Sequence, residues 1–317
     1  MKILNRKDVE YYVWLMVPVM MLVLYYMFSF LLPATVDKEM TLLGLSQFRV
    51  FGLYGMLGFT ALVGVLFVLF VRYELLIKRY VFRLQSLLRY KITAWVIALV
   101  GAVIFFLLRN NFLNQDALLF PSKFERYLNA YGSFATHDEM WEFFIHSKLW
   151  AFTNTHFGWD VFLTYQVISS IAGGVFLFIL IKFTQTVATN KELPFLAIMV
   201  CGGYMQLFFG DVENYTLTAV FVLLYFYVAL LYFQNKVTLF IPSLTLTVAL
   251  TFHLLTGFLL PSLLWLYILE LKKHNWKLIL LAFGASVTLF LLTLLFFHFN
   301  HLPIQAIYTS SNASLSG

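Results

Sequence analysis

Long apolar runs recur along the whole chain, and most are long enough to cross a membrane as helices. A membrane-spanning helix needs about 20 residues, and short polar segments separate the runs. The predicted spans are residues 11–33, 50–71, 92–108, 160–182, 195–209, 216–233, 237–253, 256–271 and 278–299. Charged residues make up only 11% of the 317 residues, against about 25% in soluble domains. The sequence therefore predicts an all-α polytopic membrane protein with about nine transmembrane helices.

The apolar stretch 237–271 is almost continuous, and only the residue types near its middle indicate that it forms two helices. His253, Thr256 and Gly257 lie near its middle. A single helix over this stretch would be much longer than one span, so two short or tilted helices fit better. We predict the turn between them at 253–257.

Basic residues give the orientation. Six of them lie in the segment 72–91 against one acid, Glu74: Arg72, Lys78, Arg79, Arg83, Arg89 and Lys91. Short loops rich in Lys and Arg stay in the cytoplasm, and alternation then places the N-terminus inside as well. Because the net charge of +6 is spread over short loops, it predicts membrane retention and no nucleic-acid partner. We expect an integral protein of a bacterial inner membrane.

The same alternation divides the chain into three parts. Residues 1–91 hold two spans and the basic cytoplasmic segment, 92–299 form a membrane core with a long outer loop at 109–159, and 300–317 are an outer C-terminal segment. The outer side receives most of the acids and histidines. Polar chemistry is therefore expected on the non-cytoplasmic side.

The outer loop is predicted to contain interface helices. Thr136 and Glu139 have the spacing of a capping box, which would open a helix over 137–150 with an aromatic stripe. Such a helix is typical of the membrane interface. A second short helix is expected around 122–131, after Pro121.

Four polar sites on this side are candidates for chemistry. Asp116 follows the third span closely, where a carboxylate can act as general base; the alternative is a loop acid or helix cap. The turn Gly210-Asp-Val-Glu-Asn-Tyr215 carries more polar groups than a turn requires. His253 ends a span, although such a histidine can simply bond to a neighbouring helix. Asp138 and Glu139 also have a structural alternative, because acids suit the first turn of a helix.

The order of these motifs resembles the GT-C superfamily of membrane glycosyltransferases, in an uncharacterised bacterial branch. The resemblance covers about residues 92–299. Its motifs are Asn114-Gln-Asp-Ala-Leu-Leu119, Thr136-His-Asp-Glu139, Phe209-Gly-Asp-Val-Glu-Asn-Tyr215 and His253. Two departures are the additional spans before residue 92 and the end of the chain in an outer loop, as expected of a shortened member or an N-terminal portion.

The resemblance implies transfer of a sugar from a polyprenyl-phosphate donor to an acceptor outside the cytoplasm. Asp116 would be the general base, with Glu213 and His253 as further catalytic residues. Substrate-binding residues would be His137, Asp138, Glu139, Asp211, Asn214 and Tyr215. No metal site is expected and no cofactor is predicted, although a divalent metal stays an alternative.

Two other classes of protein remain open. A non-catalytic scaffold or transporter subunit requires nothing of the outer loops, and transporters usually carry charges near the middle of their spans. A haem protein would use paired histidines such as His253 and His298. The lone Cys201 lies in an apolar run and provides neither a disulfide nor a cysteine metal site.

Overall fold

A computed structural model describes residues 58, 61–62, 65, 72–109, 135–136, 138–189 and 191–300. Several predictions lie outside these residues: the span 11–33, nearly all of the span 50–71, the short helix at 122–131, and the candidates Asp116 and His137. The chain divides into two compact units. The first contains the described residues up to Ile97 together with Leu180–Gln206, and the second contains Ala98–Ile179 and the described residues from Leu207 onward.

Helices form all the regular structure of the described residues. The α-helices are α1 (Glu74–Leu88), α2 (Lys91–Leu107), α3 (Met140–Phe157), α4 (Val161–Val187), α5 (Glu192–Val200), α6 (Thr216–Phe233), α7 (Phe240–Phe252), α8 (Leu260–Lys272) and α9 (Trp276–Phe299). Two 3-10 helices, Gly203–Phe208 and Leu254–Leu259, follow α5 and α7. The prediction of an all-α membrane protein is confirmed in this coarse form.

Four helical segments are long and apolar enough to cross a membrane within the described part of the chain: α4, α6, Leu254–Lys272 and α9. A fifth arises if Arg79–Leu88 and Ile92–Leu107 count as one bent span, and α7 is a shorter apolar helix. The predicted span 216–233 coincides with α6. The predicted span 195–209 is wrong as a continuous helix, because α5 ends at Val200 and a 3-10 helix begins at Gly203.

Length explains why α5 is too short to be a span. Its nine residues rise about 14 Å, half of the roughly 30 Å hydrocarbon core. The hydroxyl of Tyr204 donates to the carbonyl of Met199 just after the helix ends. Apolar composition alone did not reveal this break.

The first unit packs the basic segment against α5. The segment 72–91, predicted as a loop, instead contains the helix α1, whose residues Val81, Gln85 and Leu88 are buried. Arg89 lies 3.3 Å from the carboxylate of Glu192. The amide of Gln185 donates to the carbonyl of Leu88. These contacts bury one face of α1, and the described side chains on the rest of its surface are exposed.

The second unit has its core among α6, α7, α8 and α9. Buried residues of all four helices form one apolar cluster that includes Tyr225, Leu246, Leu266 and Ala282. The predicted break at 253–257 is confirmed, because α7 ends at Phe252 and the 3-10 helix follows His253. This break places a histidine backbone outside regular helix, where it can meet other segments.

Candidate functional site

Three segments of the second unit meet beside the start of α6. They are residues 138–139 before α3, the turn 211–215 before α6, and the break at His253. The amide of Leu254 donates to the carbonyl of Asp138 at 2.8 Å, which ties the first segment to the third. We call Glu139, Asn214, Tyr215 and His253 the Glu139 cluster.

The carboxylate of Glu139 is the centre of this cluster. The side-chain amide of Asn214 donates to its Oε2 atom at 3.2 Å. The Nε2 atom of His253 lies 3.3 Å from its Oε1 atom, close enough for an electrostatic contact, although hydrogen-bond geometry is not reached. Two side chains from later segments of the chain therefore converge on one carboxylate.

The predicted capping box is wrong. The helix begins at Met140, and its N-cap, Glu139, makes no side-chain cap hydrogen bond. The hydroxyl of Thr136 is buried without a hydrogen-bond partner among the described residues. The carboxylate of Glu139 instead contacts Asn214 and His253.

His253 is held in one tautomer. Its Nδ1 atom accepts a hydrogen bond from the amide of Leu255 at 3.1 Å, so the proton of the neutral ring is on Nε2, facing Glu139. The ring stacks on Tyr215 with centroids 5.1 Å apart. Burial lowers the pKa of His253, and the charge of Asp138 opposes that shift. This arrangement favours a neutral donor over the charged imidazolium that phosphate binding would use.

A buried layer lies beneath the cluster on α3. Glu142 and His146 are fully buried, and the hydroxyl of Thr216 lies 3.4 Å from Oε1 of Glu142. Burial raises the pKa of Glu142 well above its usual range, although the amide of Leu217 at the start of α6 stabilises the charged form. The carboxyl group therefore joins α3 to the first turn of α6.

His146 is neutral in the same layer. Its Nδ1 atom lies 2.8 Å from the backbone carbonyl of Glu142, an acceptor, so Nδ1 carries the proton. The ring stacks on Tyr165 at 4.0 Å. Burial lowers the pKa of His146 to about 4. The polar stripe of the predicted interface helix therefore makes buried contacts. The placement of this helix relative to a membrane stays a prediction.

Several buried polar atoms of this region have no hydrogen-bond partner among the described residues. They are Oδ1 of Asn214, Nε2 of His253, Oε2 of Glu142 and Nε2 of His146. Buried polar atoms are normally paired, and exceptions point to water, ions or a functional role. Two of these atoms lie beside the Glu139 carboxylate and two in the buried layer on α3, and together they mark the region as a candidate binding site.

The turn 210–215 also carries the other two predicted acids. Gly210 has a φ of +73°, and a Cβ atom there would lie 2.7 Å from Cβ of Arg109, so only glycine fits without strain. Asp211 accepts from the amide of Val212, and burial raises its pKa. The charge of Glu213, like those of Glu142 and Glu139, lies near the hydroxyl of Tyr165.

Arg109 is a residue that the sequence prediction missed. It follows α2 and donates from Nε to Gln166 at 3.1 Å and from Nη1 to the carbonyl of Phe106 at 3.0 Å. No described carboxylate forms an ion pair with it. Its position directly before the loop that carries Asp116 was the available signal, but it suggested only the end of a span.

Comparisons with protein-family models, with curated proteins and with solved structures found no match. No group of three or more potential metal ligands occurs among the described residues. The resemblance to GT-C glycosyltransferases therefore stays a prediction. Any functional conclusion depends on the chemistry of the Glu139 cluster and its surroundings.

Proposed function

We propose that this protein is a membrane glycosyltransferase that moves a sugar from a polyprenyl-phosphate donor to an acceptor hydroxyl. The observation that carries the proposal is the meeting of Glu139, Asn214 and His253 from three separate segments. Carboxylate, amide and imidazole groups together can bind several sugar hydroxyls. In the proposed topology the chain lies in a bacterial inner membrane, with a cytoplasmic N-terminus and the cluster on the outer side.

The proposed chemistry is a substitution at the anomeric carbon. The oxygen of the acceptor hydroxyl bonds to this carbon, the bond from the carbon to the phosphate oxygen breaks, and polyprenyl phosphate leaves with the electron pair. Asp116 takes the hydroxyl proton as general base. Glu139, held by Asn214 and His253, binds and orients substrate hydroxyls, and the resemblance assigns further roles to Asp211, Glu213, His137 and Asp138.

Arg109, which lies next to Gly210, supports this proposal. Its guanidinium group is fixed by two hydrogen bonds and lies over the ring of Phe106 at 4.4 Å. A pre-oriented guanidinium group that pairs with no carboxylate of the described residues suits a phosphate. It supplies the positive charge that a neutral His253 lacks.

The haem alternative is disfavoured by the ring nitrogens of His253. Nδ1 accepts from the amide of Leu255, so Nε2 carries the proton of the neutral ring, whereas iron ligation requires a ring nitrogen with a free lone pair. His298 is exposed near the end of α9. A non-catalytic scaffold subunit is the competing function, and an assay of sugar transfer distinguishes it from the enzyme.

The proposal is tested with purified protein in proteoliposomes that contain a set of synthetic polyprenyl-phosphate sugars and an extract of envelope acceptors. Consumption of one donor by the wild-type protein is expected. Asp116→Asn keeps the shape but removes the base, so transfer should fall by about 10²–10⁴.

The matched control is Asp160→Asn. Asp160 is an acid directly after the same outer loop, and its Oδ1 atom accepts from the amide of Leu163 at 2.7 Å, a helix-capping role that asparagine also fills. It should keep full activity. Full activity of Asp116→Asn would reject the assigned base, and failure of the wild-type protein to consume any donor would favour the scaffold.

A further inference from the structure

The helix α1 presents three adjoining stripes of side chains. Val81, Gln85 and Leu88, at i, i+4 and i+7, are buried on the face that packs against α5. Two other stripes of the helix are exposed. They differ sharply in chemistry.

One exposed stripe is apolar. Tyr80, Leu84 and Leu87 share one helical face and are 55%, 51% and 49% exposed. These three large side chains form one continuous exposed row beside the buried row, whereas hydrophobic residues scattered singly over a surface need no explanation. A row of this kind needs an apolar environment outside the helix.

The next stripe is basic. Arg79 and Arg83 are one helical turn apart and exposed, and no described carboxylate forms an ion pair with either. Arg89, by contrast, contacts Glu192 at 3.3 Å. No described carboxylate therefore neutralises the positive charges of the two arginines beside the apolar row.

The direction of the chain gives this helix a defined setting. α1 ends at Leu88, and the apolar α2 begins at Lys91. The two helices are bent by 97° at this break. If α2 crosses the membrane, α1 lies along the surface from which α2 enters.

We propose that α1 is a membrane-surface helix that binds anionic phospholipid headgroups. Tyr80, Leu84 and Leu87 enter the boundary of the acyl chains, and Arg79 and Arg83 bind headgroup phosphates directly above them. The apolar row beside a basic row is the pattern of interfacial helices, and arginine gains from a negative membrane surface. This inference does not depend on the proposed transfer reaction or on which side of the membrane α1 lies.

The experiment measures the depth of α1 in the full-length protein. Cys201, the single cysteine, is replaced by serine, and a nitroxide label is attached through Leu84→Cys or, as the matched control, Ser86→Cys on the polar face. Accessibility to oxygen and to a water-soluble nickel complex is compared in nanodiscs of phosphatidylcholine with and without phosphatidylglycerol.

The label at position 84 should be buried in discs that contain phosphatidylglycerol, while the label at 86 stays accessible to nickel. Arg79→Gln with Arg83→Gln should reduce the ratio of buried to water-exposed label at 84 by at least about fivefold, the effect of about one arginine near an anionic surface. Arg79→Lys with Arg83→Lys should retain most of the burial.

The source of the phosphate is distinguished by adding inorganic phosphate at millimolar concentration to the same discs. A lipid site predicts no release of the label, whereas release would assign the arginines to a soluble anion and overturn the proposal. Equal depth of position 84 in both lipid compositions, or nickel access at 84 equal to that at 86, would also overturn it.

Discussion

Glu139 and Glu270 lie in clusters at opposite ends of α6, and each carboxylate is contacted by an asparagine amide and by further polar groups. Glu270 accepts from the hydroxyl of Tyr232 at 2.5 Å and from the amide of Asn275 at 2.9 Å. It also pairs with Lys273 at 3.2 Å. Glu139 has Asn214 and His253, from two later segments of the chain.

The difference lies in where the partners come from and in what remains unpaired. Lys273 and Asn275 lie within five residues of Glu270 and only Tyr232 comes from another helix, so this cluster fixes the turn between α8 and α9 and joins it to the end of α6. The Glu139 cluster instead joins distant segments and leaves buried atoms of Asn214 and His253 without hydrogen-bond partners among the described residues. A saturated carboxylate stabilises a turn, whereas unpaired polar atoms beside a carboxylate can bind a ligand.

The largest expected effect concerns the buried layer beneath the Glu139 cluster. In the folded protein the imidazole of His146 stays neutral down to a pH of about 4, which is its pKa in that state. In the unfolded chain the same imidazole binds a proton below about pH 6.5. The contribution of His146 to the free energy of unfolding should therefore fall by up to about 3 kcal/mol as the pH falls from 6.5 to 4. It is measured as the difference between the wild-type protein and His146→Phe, because the buried Glu142 acts in the opposite sense. Reversible unfolding in mixed micelles measures this slope.

His146→Phe keeps a ring against Tyr165 and removes the titration, so it provides the matched control. Its unfolding curve should lack the acid-side loss, while the opposite contribution of Glu142, whose burial raises its pKa, stays the same in both proteins. Identical slopes in the two proteins would show that His146 is not held neutral.

The next effect tests Glu139 directly. Glu139→Gln keeps the shape and removes the charge, so transfer should fall by about tenfold to a hundredfold, the value of a charge-assisted hydrogen bond to a substrate hydroxyl. Stability should change little. A variant with wild-type transfer would remove the contrast between the two clusters, because Glu139 would then be structural as well.

Glu270→Gln should behave in the opposite way. The new amide group donates where a carboxylate oxygen had accepted, so donors of the turn lose a partner and the free energy of unfolding should fall by about 1–3 kcal/mol. Transfer by the folded fraction should equal that of the wild-type protein. A loss of transfer without a loss of stability would place Glu270 in the functional machinery.

The smallest expected effect is at Thr136. A true capping residue costs about 1 kcal/mol when replaced by alanine, but the Thr136 hydroxyl has no hydrogen-bond partner in the described part of the chain. Thr136→Ala should therefore change the free energy of unfolding by less than about 0.5 kcal/mol. A loss near 1 kcal/mol would restore the capping box and weaken the assignment of Glu139 to the site.

The sequence by itself determined the helical membrane class, the bounds of α6 and the break at His253. These follow from the length of apolar runs and from the polar residues that interrupt them, which are local properties. It also indicated the turn 210–215, because four polar groups exceed what a turn needs. The fifth predicted span failed because hydropathy does not register a change from α to 3-10 geometry.

Tertiary structure alone decided what the polar residues of the second unit do. Capping spacing assigned Glu139 to its own helix, yet its carboxylate contacts Asn214 and His253. The hydrogen bond between Leu254 and Asp138 and the stacking of Tyr215 on His253 join the same segments. A sequence pattern specifies which groups can donate and accept, but packing of distant segments determines which of them meet.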